Sequence, residues 1–174
     1  MGKAMTKDQK IVGVGAASGI IGMIAGVSII YSLWPANPAL SDLASRLAYT
    51  LQADAFAVLP LLFSILAVGN SRFLSEAIDP TLHKESQAME VTGRVVDNTL
   101  QQFLIYLVGT LALAAGLTAD EMRVIPAATI VFVVARVAFW IGYRIHPLYR
   151  AFGFASTAYL NIGILAFAFW TMLR

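Results

Sequence analysis

Arg94, Asn98 and Gln101 stand at i, i+4 and i+7, so on a helix they share one face, with Glu90 and Asp97 beside them. An arginine suits bidentate recognition of a carboxylate. A second group follows at Arg136-x2-Phe139-x3-Tyr143-x6-Arg150. The first group enters a segment that then runs apolar to Ala115. Ionisable groups are costly at membrane depth and normally face a protein interior or a wet cavity, which marks the stripe as a candidate site. The plainer alternative is that Glu90, Arg94 and Asp97 snorkel at headgroup level while Asn98 and Gln101 tie helices together. Arg136 is expected to pair with Asp97 or Glu90 as a structural ion pair between helices.

Composition narrows the chemistry. Of 174 residues, 59% are hydrophobic and only 13% charged, against roughly 25% charged in soluble domains. The apolar runs reach the roughly 20 residues a membrane-crossing helix needs. A net charge of +2 with scattered basic residues argues against a nucleic-acid partner. Cysteine is absent and the two histidines, His83 and His146, fall in predicted connections. Disulfides, thiol nucleophiles and Cys- or His-rich metal sites are thereby excluded.

The elements that position the two groups are five apolar spans. Ile11 to Trp34 follows a short basic start and is too long for a secretory h-region of roughly 7 to 15 residues, so it reads as a retained transmembrane helix. Gly15, Gly19, Gly22 and Gly26 give it a small-residue face. Pro35 and Pro38 stop it. Ser41 is placed to cap the next helix, whose span covers about Ala53 to Val68, with Asp54 expected at the interface and a kink expected at Pro60. A polar surface connection leads to the third span, about Glu90 to Gly116. Thr118 and Glu121 read as a capping box for the fourth, which runs to about Tyr143 and ends at His146-Pro147. The fifth covers about Leu148 to Met172, with Asn161 near its middle expected to bond between helices.

Five spans put the termini on opposite sides. Lys3, Lys7, Lys10, Arg72, Lys84, Arg144 and Arg150 fall on the side of the N-terminus, and Arg46, Arg123 and Arg174 on the other. The positive-inside rule then predicts a cytoplasmic N-terminus, with both polar groups on the cytoplasmic side.

Arg94-x3-Asn98-x2-Gln101-Gln102 on one helix and Arg136, Phe139, Tyr143 and Arg150 around the next hairpin resemble the signature of the MAPEG family, the membrane-associated proteins of eicosanoid and glutathione metabolism. The resemblance covers roughly Ala53 to Phe169. It implies an all-α integral membrane bundle: a four-helix core over 51–174, preceded by an extra N-terminal transmembrane helix and its connection over 1–50. It further implies a homotrimer that holds glutathione between subunits, with Arg94, Asn98, Gln101 and Tyr143 as cofactor contacts and Arg150 as the arginine that stabilises the thiolate. Gln101 stands where the family has Glu, Asp97 where the prostaglandin-synthase type has Arg, and Phe139 lacks the usual polar group. Ala151 cannot supply a serine hydroxyl. Five spans, the run Asn98 to Gln102 and the stretch Ile145 to Phe154 resemble most the branch that contains mattrin.

Three functional expectations follow. One is a glutathione-dependent transferase or peroxidase acting on apolar, lipid-like electrophiles. Another is a non-catalytic protein of the same fold that binds membrane lipid or regulates a membrane partner. The third is a small transporter lined by Glu90, Arg94, Asp97 and Arg136, although inverted repeats and paired broken helices are not visible.

Overall fold

The computed structural model describes residues 5–173. Among them the ordered elements are helices: α1 (Lys7–Leu33), α2 (Leu43–Ala57), α3 (Leu59–Phe73), α4 (Gln87–Gly116), α5 (Val124–Ile145) and α6 (Ala151–Leu173). With α2 and α3 taken as one broken span, five segments are long and apolar enough to cross a membrane. Lys3 and Arg174, two of the charges behind the predicted orientation, lie outside the described residues.

Local chemistry explains the boundaries. Thr6 starts α1 through a capping box, its hydroxyl accepting from the Gln9 amide while the Gln9 side chain accepts from the Thr6 amide. The cap of α2 is Asp42 rather than Ser41: its carboxylate accepts from the Ser45 amide at 3.0 Å, and a carboxylate at a helix N-terminus also meets the positive end of the dipole. The expected kink falls at Val58, and Pro60 occupies the first turn of α3, where its missing N–H costs nothing. Two short 3-10 turns, Glu76–Ile78 and Pro80–Leu82, form the connection to α4. Thr118 and Glu121 exchange the expected pair of bonds before α5.

The helices hold together less by apolar burial, which lipid tails would satisfy equally, than by close packing and interhelical hydrogen bonds. α6 is the central post, lying against α1, α4 and α5. Gly153 lets it meet α5, because a Cβ there would collide with the Ala135 carbonyl and the Phe139 amide. Gly19 does the same for α1 and α6, where a Cβ would strike the Phe152 carbonyl, and Ser156 Oγ donates to the Gly19 carbonyl at 2.9 Å. Asn161 bonds across to α4, donating to the Gln102 carbonyl and side chain at 3.0 and 2.9 Å. Such bonds average about 0.6 kcal/mol in membrane bundles, so their number matters more than any single one.

The larger apolar core is centred on Tyr106, Phe132, Met122 and Ile125, with the Tyr106 and Phe132 rings 4.4 Å apart and Tyr106 Oη bonded to Thr129 Oγ1. Asp54 belongs to this interior and not to the interface. It is 3% exposed and accepts from Thr110 Oγ1 at 2.9 Å, joining α2 to α4. A single buried hydrogen bond recruits a residue whose place near the start of an apolar run pointed to the headgroups.

Candidate functional site

At the end of the bundle where α1 begins, α4, α5 and α6 enclose a pocket of about 520 Å³, within the range of small-molecule sites. α4 contributes Arg94 and Asn98, one turn apart. α5 contributes Phe139 and Tyr143, again one turn apart. The turn between α5 and α6 contributes Leu148 and Arg150, and α6 contributes Ala151, Phe154, Ala155 and Tyr159.

The His146–Arg150 turn sets the position of Arg150. His146 leaves the helix in extended backbone before Pro147, its carbonyl accepts from the Tyr149 amide, and its Nδ1 accepts from the Leu148 amide. Arg150 is thereby folded back onto α5, donating to Tyr143 Oη at 3.1 Å with its guanidinium 4.9 Å over that ring. Tyr143 is buried and meets Phe139 edge-on at 5.8 Å, with Val95 of α4 completing the cluster. The phenol is therefore fixed on its apolar side and presents its oxygen toward Arg150.

Arg136 lies behind the pocket wall at 1% exposure. It donates through Nη1 to Asn98 Oδ1 at 2.9 Å and stacks 4.2 Å over Phe139. The expected partners, Asp97 and Glu90, are exposed on α4 and do not reach it. The ion pairs among the described residues are Arg72 with Glu85, Lys84 with Glu76 and Arg123 with Asp120. Arg136 Nε and Nη2 find no hydrogen-bond partner within the described residues. Spacing alone pointed to a carboxylate. Burial selects the amide instead, because Asn98 sits on the inward side of the stripe and the two acids on the outward side.

Four of the five cofactor and catalytic residues inferred from sequence, Arg94, Asn98, Tyr143 and Arg150, meet in this one pocket. Gln101 does not. It is exposed on α4 outside the lining, while its neighbour Gln102 turns inward to Asn161. Sequence reasoning missed Val12 and Ala16 of α1, which form part of the pocket wall, and Tyr159. The spacing of 12 and 16 on one helical face was available as a signal, but the contact across the chain was not.

The comparison with protein families now bears on the geometry: the model of the MAPEG family matches residues 50–170. The chain belongs to the MAPEG family. All the polar pocket residues fall inside that match, and α1 precedes it. Among curated MAPEG-branch relatives are Transmembrane protein 79 of Bos taurus and of Mus musculus, each 27% identical over 135 residues, which cover 78% of this chain and 34% of the relative. These are mattrin, the branch the sequence resembles. The chain spans about a third of the length of these relatives. No solved structure matches it.

Proposed function

We propose that this MAPEG protein is a membrane binder whose pocket holds an amphiphilic anion, an acidic headgroup joined to an apolar chain. The observation that carries the reading is the lining itself: Arg94 and Arg150 stand in it with no Asp or Glu, and most of the remaining wall is apolar. Asn98 and Tyr143 already serve as acceptors for Arg136 and Arg150, so their remaining capacity suits donation to an anion. With the N-terminus cytoplasmic, as the basic residues predict, the headgroup lies at the cytoplasmic leaflet.

A homotrimer belongs to the same reading. Glu90, Arg94, Asp97 and Gln101 are exposed along one face of α4, and Leu104 and Val108 continue that face. Charged groups facing lipid are costly, and a second copy covering the face relieves the cost.

A second reading, a glutathione-dependent transferase, is favoured by the convergence of Arg94, Asn98, Tyr143 and Arg150. Two guanidiniums suit the two carboxylates of glutathione, and Arg150 is the cation that would favour its thiolate. The fit within one subunit is incomplete, because no carboxylate of the lining meets the ammonium group. Asp97 of a neighbouring copy is the candidate for that contact.

Calorimetry on the purified protein, titrated separately with laurate and with glutathione, tests both. Saturable laurate binding that falls at least about tenfold in Arg94→Ala and Arg150→Ala supports the binder. Glutathione binding, with conjugation of 1-chloro-2,4-dinitrobenzene lost in Arg150→Ala, would replace it with the transferase.

A further inference from the structure

The pocket does not end at its arginines. Val12 and Ala16 of α1 close one side, one turn apart on the same face, although α1 lies outside the stretch that the family model matches. The helix is held there by the Gly19 contact with α6 and by the Ser156 bond, with Gly15 packed against Ala151. Further along the same two helices a second cavity of about 320 Å³ opens, with Met23 and Val27 of α1 on one side and Leu160 and Ile164 of α6 on the other. Residues 12, 16, 23 and 27 repeat at helical spacing, so both cavities lie along one face of α1. The first lining carries the two arginines, the second only uncharged side chains, and Tyr159 is common to both.

We propose that the α1–α6 seam is the chain channel of the pocket: the ligand's apolar chain runs from Arg150 along Val12 and Ala16 toward the second cavity, and Tyr159 sets the chain length that fits. This rests on the anion-binding reading, and it names the substrate class more narrowly, as a carboxylate or comparable acid on a single unbranched chain. The extra helix is then part of the binding site and decides which chains the shared core accepts. Each methylene that reaches apolar wall raises affinity about fourfold, so a barrier in the seam must show as a break in a homologous series.

The test uses the full chain in amphipol, which offers no bilayer to compete, titrated with octanoate, laurate, palmitate and oleate. In the wild type, affinity rises with chain length and then levels off. Tyr159→Ala moves the plateau to longer chains, with a gain of about tenfold for palmitate over laurate. Ala16→Phe costs laurate and palmitate at least about tenfold and octanoate less. Val12→Trp, at a position already 39% exposed, repeats the loss without disturbing helix contacts, and Val14→Trp, 70% exposed, leaves the series unchanged. Saturable binding that is lost in Arg150→Ala but shows one chain-length profile in wild type, Tyr159→Ala, Ala16→Phe and Val12→Trp overturns the channel alone. Absence of saturable binding for all four acids in the wild type overturns the anion-binding reading as well.

Discussion

Two buried charges, Arg136 and Asp54, sit in different halves of the bundle under similar constraints and serve different ends. Each is at least nine-tenths buried, and each makes one hydrogen bond to another helix, to Asn98 and to Thr110 respectively. Each also leaves at least one polar atom without a partner among the described residues, Oδ1 of Asp54 and Nε and Nη2 of Arg136. The difference is what lies beside them. Arg136 stands behind Asn98 and Phe139, both of which face the arginine-bearing pocket, so its charge and its hydrogen bond act on a site. Asp54 faces Thr110 and the Tyr106 core, and the cavity lined by its neighbours Gln52 and Ala53 has no charged residue in its wall. A buried charge in a membrane bundle therefore marks function only where a cavity gives it something to act on. Elsewhere it is a costly fastener.

The largest expected effect separates the scaffolds of the two halves. Gly153→Leu drives a side chain into the α5 backbone at Ala135 and Phe139, where neither helix can yield by a rotamer change. Overpacking of this kind costs about 3 kcal/mol or more. The variant should lose its monodisperse peak in size-exclusion chromatography, and a normal peak would show that α6 is not held by that contact.

Next in size is the direct contrast. Arg136→Met removes the donor to Asn98 while filling a similar volume, so laurate affinity should fall about tenfold with the thermal midpoint unchanged or raised. Asp54→Ala should do the reverse: laurate binding stays at the wild-type value while stability falls by about 1–3 kcal/mol as the α2–α4 link is lost. The same pattern from both variants, in paired melting and binding curves, would dissolve the distinction.

The smallest effect concerns the cap of α2, the helix that carries Asp54. The Ser45 amide holds the exposed Asp42 carboxyl below its usual 3.8. A depressed folded-state pKa adds stability that is present above the unfolded value and lost as the pH falls through the folded one. Asp42→Ala should thus lower the thermal midpoint slightly at neutral pH, and the gap to wild type should close under acid. A gap that persists in strong acid would assign the effect to helix propensity instead.

Much of this molecule was legible in its residues. The long apolar runs and sparse charges require a membrane bundle, because no other environment accommodates them. Pro35, Pro60 and Pro147, with the caps at Thr118 and Glu121, place the breaks through local sterics and hydrogen bonding. Arg94, Asn98, Tyr143 and Arg150 were recognisable as one set through the family signature they resemble, and Asn161 was recognisable as an interhelical bond. The spans and breaks rest on the bilayer as solvent and on interactions within a few residues, and the site set rests on the family resemblance.

Tertiary structure decided the rest. Which side of the stripe faced inward, Asn98 or Asp97, depended on how α4 is rotated against α5, and one helical step exchanges an amide for an acid. Asp54 went inside because Thr110, far along the chain, could donate a hydrogen bond to it. Gln101 turned out and Gln102 in for the same reason. The entry of α1 into the pocket wall follows from the meeting of Gly19 with Phe152 and Ser156, a contact between the two ends of the chain that no local period encodes. Helical spacing determines which residues share a face, and only packing determines what that face meets.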